Sequence, residues 1–269
     1  MLQSKGDKAF LIFSYIIVGI ISVISLYPFI YVLSASISNA DLVAKGELML
    51  FPKGMNLSAY QKVLQYEGIM IGYLNAIFYT VVGTVVSMIF TILGAYPLSK
   101  KRLHGKTFFT FMVAFTMWFN AGMIPTYINF DNLNLLDTRT GIIFGFAISA
   151  FNLFILRTYF ASVPDSLEEA AKIDGASDFK TLMRICLPVS MPSLATVSLY
   201  YLVGRWNAYF WAMILLKDNS KIPLQVVLRK LIVEANWLSE TNNIDVVTFN
   251  QQTLVFATII ISIVPMLMV

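Results

Sequence analysis

Residues 163–194 read VPDSLEEAAKIDGASDFKTLMRICLPVSMPSL and form a polar stretch between apolar segments of the chain. Ser166 precedes Glu169 by three residues, which is the spacing of a capping box, so a helix is predicted to begin here. Asp174 and Gly175 form a turn signal, because glycine adopts the positive φ at which many helices end. The first half of the stretch is therefore predicted to be a short helix closed by a tight turn.

A second short helix is predicted directly after this turn. Ser177 or Asp178 can act as its N-cap, since both side chains accept hydrogen bonds from backbone N–H groups. The helix is expected over residues 179–186 and is expected to end before Pro188, because a proline disfavours helical backbone in the residue that precedes it. The whole stretch is then a helix, a turn and another helix.

Helix signals alone do not distinguish an ordinary surface helix from a docking surface. Two small residues, Ala170 and Ala171, allow another surface to come close. Two carboxylates, Glu169 and Asp174, lie beside them. Both interpretations stay open on these grounds.

The order of residues in this stretch resembles the EAA motif of permease subunits of bacterial ABC importers. The matching positions are Glu169, Ala170, Ala171, Asp174, Gly175, Ile185, Leu187 and Pro188. Asp174-Gly175-Ala176 and Pro192 fit the form of the motif found in sugar importers. The resemblance implies that these residues couple the permease to a cytoplasmic ATPase by lying in a groove of that subunit.

Composition indicates a membrane protein independently of the motif. Hydrophobic residues make up 58% of the 269 residues and charged residues 13%, and the mean hydropathy is +0.73. A soluble domain carries about 25% charged residues. The net charge of +4 does not indicate nucleic-acid binding, and the single cysteine, Cys186, excludes an internal disulfide and a cysteine-based metal site.

The predicted fold is all-α, with six transmembrane helices and one cytoplasmic loop over residues 163–192. Apolar runs long enough to cross a bilayer lie at about residues 10–33, 72–98, 108–128, 141–160, 193–216 and 253–269. Both ends are expected in the cytoplasm. This orientation depends mainly on four cations without an acid between the second and third runs, since positive loops stay inside: Lys100, Lys101, Arg102 and Lys106.

Small and polar residues recur at helical spacing along the second run. Such a stripe lets membrane helices pack closely, and it could instead border a solute path; packing is the favoured interpretation. The stripe consists of Thr80, Gly83, Thr84, Ser87, Thr91 and Gly94.

The chain shows no sign of binding ATP itself. Gly105-Lys106-Thr107 matches the end of a phosphate-binding loop, but such a loop needs a glycine five residues earlier, where this chain has Lys100. His104 is the only histidine and has no neighbouring carboxylate or cysteine in the sequence, which makes it a poor metal ligand. No cofactor is expected in this chain, so ATP and Mg²⁺ should bind a separate ATPase.

The fifth run carries Arg205-Trp206-Asn207 near its middle. A charge within a membrane is costly, so Arg205 is predicted to pair with a carboxylate or with carbonyls inside the bundle. Trp206 and Asn207 are candidates to border the solute path, and Phe210 is expected to share a helix face with Trp206. The alternative is that Asn207 joins helices and Trp206 packs. Two further asparagines in the apolar runs complete the candidate set: Asn120 and Asn152.

The resemblance extends over nearly the whole chain, to the shorter permease of maltose-type importers. Gly122-Met123-Ile124-Pro125 and Arg205-Trp206-Asn207 are further matches. It implies a multi-pass protein of the bacterial inner membrane that works by alternating access with a second permease, an ATPase dimer, an external solute-binding protein and a sugar or oligosaccharide. Family members usually continue into a polar cytoplasmic tail, whereas this sequence ends at Val269 within an apolar run.

Two alternatives remain at this stage. One is a permease of the same type for a cargo other than sugar, which the motif does not exclude. The other is an intramembrane enzyme, which would need convergent catalytic side chains within the spans. The predicted spans contain no histidine and no paired carboxylate, so the permease is favoured.

Overall fold

A computed structural model describes residues 5–48, 50–65, 67–240 and 248–268, and every regular element among them is helical. The chain begins with α1 (Lys5–Ser36), α2 (Ala40–Ala44), α3 (Ser58–Gln65) and α4 (Glu67–Ser99). It continues with α5 (Lys106–Trp118), α6 (Met123–Asn132), α7 (Arg139–Phe144) and α8 (Ala150–Ser162). The second half contains α9 (Asp165–Ile173), α10 (Asp178–Thr181), a π-helical turn (Leu182–Cys186), α11 (Leu187–Val189), α12 (Met191–Trp206), α13 (Phe210–Leu215), α14 (Leu224–Glu240) and α15 (Thr248–Met268).

Two of the described helices are long and apolar enough to cross a membrane alone, α4 and the part of α1 from Phe10 to Ser36. Two more spans result if each sharply bent pair counts as one: α5 with α6, bent by 117°, and Asp178–Val189 with α12, bent by 85°. The all-helical prediction is confirmed for the described residues. The count of six spans stays a prediction.

Three of the predicted runs are not continuous helices. The third, residues 108–128, breaks between α5 and α6, where Gly122 has a φ of 88° and its N–H donates to Asn120 Oδ1. The fourth, residues 141–160, breaks between α7 and α8, and the fifth, residues 193–216, breaks between α12 and α13. The mean hydropathy of a run stays high across such a break because most residues within the break are apolar or small.

Asn152 lies within a helix, although a polar residue in an apolar run could mark an interruption. It lies in the first turn of α8, where its backbone N–H donates to Oγ of the N-cap Ser149 at 3.4 Å. The interruption precedes it, over residues 145–149.

The chain divides into two compact units. The first comprises the described residues up to 70 and those from 227 to 268, and α15 packs against α1, α2 and α3 within it. The rings of Tyr31 and Phe256 meet edge to face with centroids 6.1 Å apart. The hydroxyls of Ser36 and Tyr60 are hydrogen-bonded at 2.7 Å, so both apolar and polar contacts join these elements.

The second unit, residues 71–226, has its core where α4, α8, α12 and the π-helical turn meet. Leu156, Cys186 and Val197 are fully buried there. The hydroxyls of Thr91 and Tyr201 form a hydrogen bond of 2.7 Å between α4 and α12. This core brings the membrane helices into contact with the polar stretch that follows α8.

The predicted packing role of the α4 stripe is confirmed. Thr80, Thr84, Ser87 and Thr91 are all buried. A Cβ added to Gly83 would lie 3.1 Å from the Arg205 side chain, and one added to Gly94 would lie 3.0 Å from Leu153. These glycines are needed because neighbouring side chains occupy the space that a larger residue would fill.

Candidate coupling loop and solute cavity

Helix α9 begins without the capping box that the sequence indicated. Pro164 is the N-cap, and no side-chain hydrogen bond caps this end. Ser166 already lies inside the helix, because Pro164, with φ −56° and ψ 129°, directs the chain into it from residue 165. Glu169 is consequently not used as a capping residue.

The turn after α9 matches the expectation. Gly175 has a φ of +75°. Its N–H donates to the Lys172 carbonyl at 3.0 Å, and the Ala176 N–H donates to the Ala171 carbonyl at 2.9 Å. This pair of hydrogen bonds is the Schellman motif, which requires a left-handed residue at the position of Gly175.

The second helix begins as predicted and extends further than predicted. Ser177 is its N-cap and accepts from the Lys180 N–H at 3.3 Å. It continues past Pro188 to Val189, because the π-helical turn pairs the Leu187 N–H with the Leu182 carbonyl five residues earlier. This wider turn accommodates a proline, which has no N–H to donate and crowds the preceding turn.

Residues 163–192, the coupling loop, present two different faces. Glu168 and Ala171 are buried, whereas Glu169, Ala170, Asp174 and Gly175 are exposed. The side chain of Ile173 is 87% exposed. In the second helix Ile185 and Leu187 are half-buried and Pro188 is exposed. One face is therefore anchored within this chain and the other is open to a partner.

Three ion pairs join the coupling loop to the loop after α4. They are Lys100–Glu168, Lys101–Asp165 and Arg102–Asp178. Three of the four cations that indicated a cytoplasmic loop therefore pair with carboxylates of the coupling loop. Glu168 was not among the predicted site residues, although its position directly before Glu169 could have drawn attention to it.

The three pairs differ in burial. The side chains of Lys100 and Glu168 are 12% and 11% exposed, and those of Lys101 and Asp165 are 87% and 67% exposed. The hydrogen bond between Lys101 and Asp165 raises the pKa of the lysine and lowers the pKa of the aspartate, so it favours the charged form of each side chain. Removing one partner of a buried pair typically costs about 3–5 kcal/mol, whereas an exposed pair contributes about 0–1 kcal/mol.

Cys186 lies against the buried ion pair. Its thiol donates to Glu168 Oε1 at 3.4 Å. Burial raises the pKa of the thiol to about 11, an effect that Lys100 opposes and Glu168 reinforces. Because the thiolate is the reactive form, this cysteine is a poor nucleophile while the coupling loop is packed.

Slow alkylation of Cys186 is therefore expected in the folded protein near neutral pH. Treatment of the assembled complex with a maleimide, followed by mass spectrometry of this chain, measures the rate. The same chain unfolded in detergent is the control and should react completely. Equal rates in both states would contradict the buried position of the thiol.

A cavity of about 600 Å³ lies at the breaks of the fourth and fifth predicted runs. Eight of its 18 lining residues are aromatic, and its polar residues include Asn152, Asn207, Ser149 and Arg205. The aromatic lining consists of Tyr79, Phe146, Phe151, Tyr200, Tyr201, Tyr209, Phe210 and Trp211. Rings with a few amides suit a ligand that has apolar faces and polar edges.

The structure brings together three of the five candidates for the solute path. Asn152, Asn207 and Phe210 line the cavity, whereas Trp206 and Asn120 do not. Asn120 is exposed and accepts from the Gly122 N–H at 2.9 Å. The tyrosines and Trp211 were not predicted, because aromatic residues in membrane helices more often pack or mark the interface.

Trp206 and Phe210 do not share a helix face, which corrects the prediction. α12 ends at Trp206, and α13 begins at Phe210 after a break. Trp206 is 5% exposed and meets Tyr73 edge to face at 5.8 Å. The break turns Phe210 to the cavity and leaves Trp206 in the packed interior.

Different outcomes are therefore expected for Trp206, the last residue of α12, and its neighbour Asn207. Trp206→Ala should reduce the yield of assembled complex, since truncating a buried aromatic side chain costs about 3–5 kcal/mol. Asn207→Ala should assemble normally and weaken the apparent affinity for cargo in a transport assay at varied concentration. Unchanged affinity and maximal rate in an assembled Asn207→Ala complex would remove this residue from the solute path.

Arg205 makes the carbonyl contacts that were expected of a buried charge. Its guanidinium donates to the carbonyls of Ile142, Ile143 and Phe146 at 2.7–2.9 Å and to Ser87 Oγ at 3.1 Å. These carbonyls belong to the end of α7 and to the break that follows it. Arg205 thus joins α12, α7 and α4 beside the cavity.

Apolar helices, a polar loop with an open face and a cavity at helix breaks define a membrane transport subunit. The family profile of the "Binding-protein-dependent transport system inner membrane component" matches residues 68–269. This chain belongs to that family. It is a permease subunit rather than an enzyme, and a multi-pass protein of the inner membrane.

Similar proteins cover almost the whole chain. The polygalacturonan/rhamnogalacturonan transport system permease YtcP of Bacillus subtilis is 39% identical over 252 residues, which are 92% of this chain and 87% of the relative. The diacetylchitobiose uptake permease NgcG of Streptomyces coelicolor is 26% identical over 99% of this chain and 85% of its own length. A chain from the crystal structure of a bacterial ABC transporter that imports the acidic polysaccharide alginate is 44% identical, with a TM-score of 0.89 and coverage of 100% and 96%.

Permeases of this family work with a cytoplasmic ATPase and an external binding protein. They carry no cofactor themselves, and nucleotide is bound and hydrolysed by the ATPase.

Proposed function

We propose that this chain forms part of the path of an oligosaccharide in an ATP-driven importer. The observation that carries the proposal is the cavity with its aromatic residues and the side-chain amide of Asn152. Asn152 is 6% exposed and lines the cavity, and its side chain has no hydrogen-bond partner in the described part of the chain. Because this amide faces the cavity, a sugar hydroxyl can hydrogen-bond to it while the sugar ring stacks on Tyr200 or Phe210.

The relatives support a saccharide cargo, since the alginate importer and YtcP are named for polysaccharides with acidic sugars.

We place the coupling loop, with Glu169 to Gly175 at its centre, against a dimer of cytoplasmic ATPases. A second permease completes the pore, and six spans leave the amino terminus in the cytoplasm. ATP binding would move the coupling loop and favour the outward-open state, and ADP release would favour the inward-open state.

Asn152→Leu is expected to weaken transport without harming assembly. Leucine has the same branched arrangement of heavy atoms as asparagine and replaces the polar amide by methyl groups that face the open cavity, and the amide gives up no hydrogen bond within the described part of the protein. Losing one hydrogen bond to an uncharged ligand corresponds to about 0.5–1.5 kcal/mol, or roughly a 2- to 10-fold rise in the apparent Michaelis constant. The matched control is Asn129→Leu, the same change at an exposed position of α6 outside the cavity, which should leave this constant unchanged.

Reconstitution tests the proposed function directly. The complete complex in proteoliposomes, with its binding protein and internal ATP, is offered oligogalacturonate, a neutral oligosaccharide or an amino acid. ATP-dependent uptake of a saccharide but not of the amino acid is expected. Uptake of the amino acid alone would overturn the saccharide assignment and leave the permease identity intact.

A further inference from the structure

We propose that Lys100 and Glu168 are positioning residues for energy coupling, because their buried ion pair transmits movement of α9 to α4. The inference rests on the proposed function, in which the coupling loop contacts an ATPase. Beyond that function, it identifies α4 as the helix that receives the movement and Lys100 and Glu168 as the residues that transmit it.

The first step is the contact at the cytoplasmic end of α4. Glu168 lies on the buried face of α9, and the next residue, Glu169, is exposed. Lys100 follows the last residue of α4, and its ammonium also lies 4.5 Å from the centre of the Tyr96 ring. The pair is shielded from water and salt, so its attraction is stronger and less screened than that of an exposed pair. A displacement of α9 therefore acts on α4 through this pair more than through the exposed Lys101–Asp165 contact.

The second step is α4 itself. It is one uninterrupted helix from Glu67 to Ser99, whereas the third, fourth and fifth predicted runs are broken. Ser87 lies 13 residues before Lys100, which corresponds to roughly 20 Å along a helix. A continuous helix carries a displacement over this length with less loss than a broken one.

The third step leads from α4 to the cavity. Ser87 accepts a hydrogen bond from Arg205, and Gly83 lies against the same guanidinium. Arg205 in turn holds the Ile142 carbonyl, and both residues line the cavity. Movement of α4 would therefore reach the cavity wall through direct contacts.

A purely structural ion pair is the alternative, and the chain contains a matched control. Lys101–Asp165 joins the same loop to the same helix and is exposed. If any ion pair that attaches α9 to this loop were sufficient for coupling, breaking either pair would have the same effect on coupling. If only the buried pair transmits movement, breaking the exposed pair should leave coupling intact.

The experiment compares K100M, E168Q and the double swap K100E/E168K with K101M, which breaks the exposed pair from outside the coupling loop. Each complete complex is reconstituted with its binding protein, and two rates are measured: stimulated ATP hydrolysis and ATP-dependent uptake of oligogalacturonate. K100M and E168Q are expected to lower the ratio of uptake to hydrolysis by about 2- to 30-fold, the range expected of a residue that modulates coupling. The swap should restore most of the ratio, and K101M should match the wild type.

Maleimide labelling of Cys186 gives an independent readout. The thiol packs against Glu168, so K100M and E168Q should speed its labelling during ATP turnover, and K101M should not.

Several outcomes would overturn the proposal. They are an unchanged ratio in assembled K100M and E168Q, a parallel fall of hydrolysis and uptake, or failure of all three variants, including the swap, to assemble. If the wild-type complex takes up no saccharide, the proposed function fails instead, and the same ratio is measured with the cargo that its binding protein does deliver.

Discussion

Arg205→Met is expected to prevent assembly of a stable complex. The guanidinium donates to three backbone carbonyls, those of Ile142, Ile143 and Phe146. The last carbonyls of a helix have no partner within it, and lipid offers none. Three unsatisfied carbonyls would together cost roughly 3–9 kcal/mol, which is comparable to the whole stability of a typical domain, about 5–15 kcal/mol.

Arg205→Lys should restore little of this loss. The planar guanidinium reaches four acceptors at fixed angles, whereas an ammonium group has three donors on a flexible stem. The yield of monodisperse complex and its melting temperature measure both variants. Arg229→Met, which removes the same charge from an exposed position of α14, is the control and should match the wild type. Wild-type yield and melting temperature for Arg205→Met would contradict the assigned role.

Features that depend on local stereochemistry could be predicted from the sequence. Gly175 was expected to adopt positive φ and has a φ of +75°, because few other residues fit this turn. Ser177 caps the second helix for a similar reason. Arg205 was expected to contact carbonyls or a carboxylate, since the cost of a buried charge leaves few alternatives.

Features that depend on tertiary contacts could not be predicted in this way. The break between α7 and α8 is stable because Arg205, about sixty residues later in the chain, binds the freed carbonyls. Nothing near residues 145–149 carries that information. The break after Trp206 likewise separated it from Phe210, although their spacing in the sequence is helical.

The same limit applies to the two glutamates of the coupling loop. Helix periodicity places Glu168 and Glu169 on different faces, but it does not say which face is buried. That choice is made by Lys100, which lies almost seventy residues earlier and pairs with Glu168. The resemblance named Glu169, and its exposure agrees with a residue available to a partner.

Gly175→Val is expected to uncouple ATP hydrolysis from transport. No heavy atom lies within 4 Å of the position that a Cβ on Gly175 would occupy, so an added Cβ meets open space. The strain is confined to the backbone, where the left-handed conformation costs an L-residue about 1–2 kcal/mol and more when the side chain is β-branched.

Relief of this strain would open the Schellman turn and release its hydrogen bonds to the Lys172 and Ala171 carbonyls. The exposed residues of α9 would then no longer have a fixed position relative to the ATPase. Uptake per ATP hydrolysed is the measurement, and 1–2 kcal/mol corresponds to a fall of about 5- to 30-fold.

Gly175→Asn separates backbone strain from every other effect of adding a side chain. Asparagine enters the left-handed region several times more readily than most residues, yet it is about as large as valine. The asparagine variant should therefore stay close to the wild type, with Gly175→Ala between the two. If valine and asparagine reduced the ratio equally, the side chain itself would obstruct the ATPase, and positive φ would not be what the coupling loop requires.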